Sequence, residues 1–216
     1  MSIADNLAYI HESIRRLGRN PEDITLVGAA KFQPLARIQQ AVDSGLKDLG
    51  DNQLQAGDIL RQQILGNPRW HFIGHIQSRK AKNLTSYYMI HSLDRVKVAE
   101  LLQRSLDPSE APPLKVLVEV NVGAETTKSG IATSELKKFL KELEPLDRLR
   151  PLGLMCMPPP VSPVENRRPF FRTLRQLAED HGLKLLSMGT SDDYTVAVEE
   201  GATHIRLGSC LFGKRT

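Results

Sequence analysis

The chain has 216 residues, 40% hydrophobic and 25% charged, with a formal net charge of +4, which suits one soluble α/β-sized domain over residues 1–216 and excludes a disordered or fibrous chain. No apolar run approaches the roughly 18 residues a membrane-spanning helix needs, and the first residues, Met1-Ser-Ile-Ala-Asp-Asn-Leu7, carry an acid where a signal core would be apolar. The only two cysteines, Cys156 and Cys210, lack paired spacing and predict a reducing, cytoplasmic setting rather than a disulfide framework.

Residues 3–18 read as a helix: Ile3, Leu7, Ile10, Ile14 and Leu17 recur at helical spacing, Ser2 can cap and Gly18 stops it. Strand-like runs then follow at 24–30, 48–52, 70–74, 88–93, 114–122, 149–157, 184–189 and 204–209. Helical patterns lie between them at 34–45, 53–65, 78–84, 95–106, 133–143, 163–181 and 192–200. Pro34 opens a helix, Gly45 and Gly182 close helices, and Thr133 or Ser134 can cap the one that contains Glu135. Eight strands alternating with helices predict a single (β/α)8 TIM-type barrel preceded by an N-terminal helix. A doubly wound open sheet is the alternative, but its Gly-rich first turn has no counterpart in Gly28-Ala-Ala-Lys31.

In such barrels the active face is made by the C-terminal ends of the strands. Polar residues gather there in this sequence: Lys31; Asp51-Asn52; Gly74-His75; His91-Ser92; Asn121 with the loop 123–130; then Gly189-Thr190-Ser191 and Arg206-Leu-Gly208-Ser209. The loops after the last two strands pair glycines with hydroxyls, as an anion site requires, and they occupy the usual phosphate position of these barrels. Turn-making alone would also explain either glycine. Arg206 lies within a strand and needs a partner. That partner is a structural carboxylate or a pyridine nitrogen, which a permanently charged arginine would keep unprotonated. Lys31 ends a buried apolar run, where a bare ammonium is costly as packing and useful as a Schiff-base nucleophile. Lysine, phosphate loops and arginine together describe pyridoxal 5′-phosphate (PLP).

Other readings are weaker. His71 and His75 have a metal-pair spacing, but they fall in a strand with no Glu or Cys at ligand distance in sequence, so no metal is expected. Lys80 and Lys128 compete with Lys31; both read as solvated charges, with Lys128 also a possible transient carrier of PLP. Basic residues are scattered and aromatics make up 5%, which argues against nucleic acid and for anionic small molecules. Met155 and Met157 read as core at the barrel mouth.

The sequence resembles the pyridoxal phosphate homeostasis proteins, whose fold is that of the N-terminal barrel of alanine racemase. The resemblance runs along nearly the whole chain. It rests on Leu26-Val-Gly-Ala-Ala-Lys31 with Pro34, Gly50-Asp51-Asn52, Trp70-His-Phe-Ile-Gly74 with Gln77-Ser78, and His91-Ser-Leu-Asp-Arg95. It continues in Val120-Asn121 with Lys128-Ser-Gly130, Gly153-Leu-Met155, Ser187-Met-Gly189 with Ser191 and Asp193, and Arg206-Leu-Gly208 with Phe212-Gly213. The resemblance implies a PLP-binding protein with Lys31 as the Schiff-base lysine and Asn52 and His75 near the cofactor. Ser191, Gly208 and Ser209 would hold the phosphate, with Arg206 at the ring nitrogen. The chain departs from the family at Phe32, Asp51, Thr190 and His75, where members often carry Thr, Glu, Met and Pro. Alanine racemases add a second base, a tyrosine from a further domain. This sequence gives all eight units to the barrel, and Tyr194 is its only tyrosine placed near the site. The expectation is a monomeric protein that buffers or delivers PLP, passing it to PLP-dependent apoenzymes, without robust catalysis. A weak single-domain PLP-dependent racemase is the alternative.

Overall fold

Helix α1 (Ile3–Arg16) starts at a reciprocal cap: the Asp5 amide donates to Ser2 Oγ (3.1 Å) and the Ser2 amide donates to the Asp5 carboxylate (2.8 Å). Its apolar stripe, Ile3, Leu7, Ile10 and Ile14, is buried, as its helical period requires. The protein is described by a computed structural model covering residues 2–106, 112–125 and 128–213, with side chains at 55–58 outside the description. The sequence-expected loop 123–130 therefore lies partly outside the described residues, at Thr126 and Thr127.

The remaining elements alternate. They are β1 (Thr25–Ala29), α2 (Leu35–Asp43), β2 (Asp48–Asp51), α3 (Leu54–Gln63), β3 (Arg69–Phe72), β4 (Met89–Leu93), α4 (Val96–Ser105) and β5 (Leu114–Asn121), then β6 (Ile131–Ala132), α5 (Leu136–Leu143), β7 (Leu149–Met155), α6 (Arg168–Asp180), β8 (Leu185–Thr190), α7 (Tyr194–Glu199), β9 (His204–Leu207) and α8 (Ser209–Phe212). Eight parallel strands pair in the order β1-β2-β3-β4-β5-β7-β8-β9, and β9 returns to β1 with Val27 opposite Arg206. The barrel is closed, as the eight alternating units predict. Strand β6 pairs only with the end of β5 and has no counterpart among the sequence expectations, because two residues give no periodic signal.

Several local expectations change. Residues Ser78–Leu84 form a 3-10 helix, not an α-helix. Short 3-10 turns at Thr133–Glu135 and Val164–Arg167 precede α5 and α6, and neither Thr133 nor Ser134 caps α5 by a side-chain hydrogen bond. Gly18, Gly45 and Gly182 do end their helices, each with positive φ.

Strand parity sorts the side chains into two cores. Outward residues such as Leu26, Leu49, Phe72, Ile90 and Ile205 pack with Ile38, Phe171 and Leu174 of the helices, each fully buried large side chain contributing about 1.5–3 kcal/mol. Inside the barrel a small apolar cluster of Met89, Leu117 and Met155 accompanies a buried polar set: Asp48, His71, His91, Ser187, His204 and Arg206. The interior is therefore half polar, unlike the branched-apolar layers usual in such barrels.

Candidate functional site

A cleft of about 770 Å³ opens at the C-terminal ends of the strands, within the range of small-molecule sites. The sequence-predicted residues Lys31, Asn52, His75, Thr190, Ser191, Arg206, Gly208 and Ser209 all line it. They come from β1, β2, β3, β8 and β9 or the loops that follow, so barrel closure alone brings them together. Gly189 is the exception: it shapes the loop from behind, with φ +94° and with space so tight that a Cβ would stand 2.7 Å from Ala197 Cβ. Gly208 differs, since its φ is −109° and a Cβ there would meet only Ala29 Cβ, at 3.9 Å. It keeps room open on the cleft.

Thr25, Val27 and Ala29 follow one parity on β1, and Lys31, two residues beyond the end of the strand, lines the cleft at the barrel mouth. The Lys31 Nζ lies 4.7 Å from the centroid of the exposed Phe32 ring and has no carboxylate at ion-pair distance among the described residues. Lys128 also lines the cleft but is paired, at 2.6 Å from Glu125 Oε2 and 3.2 Å from the Pro158 carbonyl.

The two phosphate-type loops are fastened to one another and to the fold. Ser191 Oγ accepts from the amides of Gly208 (3.0 Å) and Cys210 (3.2 Å). Asp193 accepts from the Thr190 amide (2.6 Å) and hydroxyl (2.9 Å), and its other oxygen accepts from Arg167 at 2.9 Å. The amides of Ser191, Asp192 and Ser209 have no protein acceptor among the described residues, so donors converge on an edge of the cleft where an anion would find them.

Arg206 is buried (5% exposed). It donates to Ser187 Oγ (2.6 Å), to the Cys156 carbonyl (2.9 Å) and to the Met157 sulfur (2.9 Å). No carboxylate among the described residues stands within ion-pair distance, so the structural-carboxylate explanation for this arginine does not hold. Burial lowers its pKa, while Cys156, Glu119 and Asp193 act the other way; a guanidinium stays charged regardless. Its three contacts use three of five N–H groups.

His75 reaches the cleft from an exposed position, bonded to Ser129 Oγ (2.9 Å) and 3.3 Å from Arg95. His71, four residues earlier, points into the barrel and bonds Asp48 and His91, so the two imidazoles diverge. Two further expectations are corrected. Met157 is 48% exposed, not core, because its sulfur serves Arg206 at the cleft wall. Tyr194 is buried, on a helix that packs against α1, and does not line the cleft.

Sequence reasoning missed Glu119. It lines the cleft from β5 at 8% exposure. Burial, assisted by Asp94 and opposed by Arg206 and Arg95, pushes its pKa up to about 7. The sequence does carry a signal for it: Lys115, Leu117, Glu119 and Asn121 share one parity, and Asn121 falls at the active end.

An amine, a buried cation and a cradle of amides in one cleft fit the aldehyde, ring and phosphate of PLP. The alanine racemase N-terminal domain family matches residues 3–216. The pyridoxal phosphate homeostasis protein of Pseudomonas aeruginosa is 38% identical over 222 residues, covering 99% of this chain and 96% of that one. Its counterpart in Escherichia coli K12 is 38% identical over 230 residues, covering 99% and 97%. Among solved structures, PipY of Synechococcus elongatus superimposes with a TM-score of 0.88 without PLP (29% identity, 98% of this chain and 100% of that chain). With PLP bound the TM-score is 0.85 (28% identity, the same coverage). By family match and by near-full-length identity, the chain belongs to the pyridoxal phosphate homeostasis proteins of the alanine racemase N-terminal domain family.

Proposed function

We propose that this protein binds PLP and takes part in its intracellular homeostasis, holding the cofactor releasably without robust catalysis of its own. The observation that carries the reading is the convergence of Lys31, Arg206 and the Ser191–Gly208 loops on one cleft. The homeostasis names of the relatives and the PLP-bound PipY neighbour support it.

Lys31 supplies the amine for a Schiff base with the cofactor aldehyde. The amides of Ser191, Asp192 and Ser209, with the Thr190, Ser191 and Ser209 hydroxyls, hold the phosphate; Gly189 gives this cradle its turn and Gly208 its room. Asn52 and His75 border the ring from β2 and β3. Arg206 would offer its N–H donors and fixed positive charge to the ring nitrogen, which would then stay unprotonated. Bound PLP acts as an electron sink, and an unprotonated ring makes that sink weak. The burial of Tyr194 away from the cleft leaves no tyrosine facing Lys31 among the described residues, which supports holding over racemisation.

Finer points belong to the same proposal. PLP-dependent apoenzymes are the recipients. The free thiols of Cys156 and Cys210 support a cytoplasmic setting. The protein is a monomer, which light scattering checks. The functional test mixes loaded protein with a PLP-dependent apoenzyme: recovery of that enzyme's activity is expected. Racemisation of L-amino acids well above the rate with free PLP would overturn the non-catalytic reading.

A further inference from the structure

Below the cleft the polar interior of the barrel forms one continuous chain of hydrogen bonds. Arg206 Nη1 on β9 lies 2.6 Å from Ser187 Oγ on β8, and that oxygen lies 2.8 Å from His91 Nδ1 on β4. His91 Nε2 lies 2.9 Å from His71 Nδ1 on β3, and His71 Nε2 lies 2.8 Å from Asp48 Oδ1 on β2. Asp48 Oδ2 accepts from Arg69 Nη2 at 2.7 Å. Asp48 is the first residue of β2, so the chain begins at the end of the barrel opposite the cleft and ends at the guanidinium that walls it.

Donor and acceptor counts give the chain a direction. Arginine has no acceptor, so the Ser187 oxygen accepts from Arg206. A serine oxygen can accept twice, so the direction is set from the other end: an ionised Asp48 has no proton to give and each neutral imidazole carries one, which leaves the Ser187 hydroxyl to donate to His91 Nδ1. His91 must carry its proton on Nε2 and donate to His71 Nδ1; His71 must carry its own on Nε2 and donate to an ionised Asp48. Every bond is satisfied with two neutral imidazoles of the same tautomer. The surroundings agree. Burial holds His71 and His91 below the ordinary histidine value; Asp48 opposes this at His71, while Arg69 and Lys115 add to it. His71, His204 and Arg206 add to it at His91. Burial works against the Asp48 charge, but hydrogen bonds from His71 and Arg69 outweigh it and keep its carboxyl below the usual range. The His204 ring packs 5.6 Å from His91 and 6.3 Å from His71, with its Nδ1 turned to Thr203, and burial drives its pKa down to about 3. Tyr88 adds an edge contact to His71 at 5.3 Å. Apolar side chains of similar volume would fill this space at lower desolvation cost, so a satisfied polar chain ending on Arg206 calls for a role at Arg206.

We propose that Ser187, His91, His71 and Asp48 are positioning residues for Arg206: a one-way hydrogen-bonded chain that fixes the orientation of its guanidinium toward the cofactor ring. The role at the ring rests on the proposed PLP site; the chain itself does not. Asp48→Asn gives a distinctive consequence. Arg69 can only donate, so the carbonyl of the introduced amide would face Arg69 and its NH₂ would face His71. Both imidazoles would then move their proton to Nδ1, and His91 would donate to Ser187 instead of accepting from it.

The experiment is ¹⁵N NMR of histidine-labelled protein without cofactor, with resonances assigned from His71→Gln and His91→Gln. The expected result is neutral His71 and His91 protonated on Nε2 at pH 7, and both protonated on Nδ1 in Asp48→Asn. An imidazolium at either site, an Nδ1–H tautomer in the unmodified protein, or an unchanged His91 in Asp48→Asn would overturn the chain. With PLP added, Ser187→Ala should shift the cofactor absorbance and weaken binding about tenfold, because a buried guanidinium N–H loses its acceptor; Ser187→Thr should restore both. PLP bound to Ser187→Ala with unchanged spectrum and affinity would overturn the positioning role. Absence of PLP binding by the unmodified protein would instead defeat the cofactor site, and the NMR result would still decide the chain.

Discussion

Ser191 Oγ accepts the Gly208 amide proton at 3.0 Å, joining the end of β8 to the end of β9 across the cleft edge. The same oxygen takes the Cys210 amide at 3.2 Å, so one hydroxyl sets the spacing of two loops. Its own proton is left over as a donor. Ser191→Ala should cost about 1–2 kcal/mol of stability, the worth of two neutral hydrogen bonds, and weaken PLP binding. Urea denaturation and a PLP titration check the two effects separately.

Gly189 is held in place by backbone conformation and by packing. At φ +94° an added Cβ would stand 2.7 Å from Ala197 Cβ and 3.0 Å from Tyr194 Cα, and α7 has no room to yield because Ala197 is fully buried. Gly189→Ala should lower stability by about 2–4 kcal/mol, while the same change at Gly208 should cost far less stability and act mainly on PLP affinity. Paired denaturation curves test the contrast.

Much of this architecture is legible in the sequence. The eight strands are readable because each is a short apolar run bounded by glycine, proline or a polar strand end, and the cleft residues because they sit at those ends. The interior chain is not readable. Asp48, His71 and His91 lie about twenty residues apart and look like isolated polar residues in apolar strands; only closure of the parallel barrel brings their inward side chains within hydrogen-bonding distance. The burial of Tyr194 is equally hidden, because the sequence places it near the seventh loop but does not say which way a six-residue helix turns it.

Glu119 gives the protein a pH dependence with a definite sign. Below about pH 4 its carboxyl is protonated in both folded and unfolded chains. Between about 4.5 and 7 the folded chain retains a proton that the unfolded chain has released, so stability falls as pH rises and levels off above a folded pKa of about 7. The full loss is about 3 kcal/mol. Asp51, also raised by burial, slopes the same way, so the difference between unmodified protein and Glu119→Gln isolates the Glu119 part. Denaturant midpoints at pH 5 and pH 8 should show the variant gaining much more stability at the higher pH.

In the proposed site, Arg206→Glu would replace a fixed cation beside the cofactor ring by an acid. The cofactor nitrogen should then be protonated, and the absorbance of the bound cofactor should shift. Spectra of the loaded variant that match those of the unmodified protein would count against contact between Arg206 and the ring.

The central claim is that Lys31 holds the cofactor. Borohydride reduction of PLP-loaded protein followed by peptide mapping tests it most directly. The predicted result is a single reduced pyridoxyl adduct on Lys31, absent from Lys31→Ala. An adduct on Lys128 or Lys80 in place of Lys31, or undiminished labelling of Lys31→Ala, would contradict it.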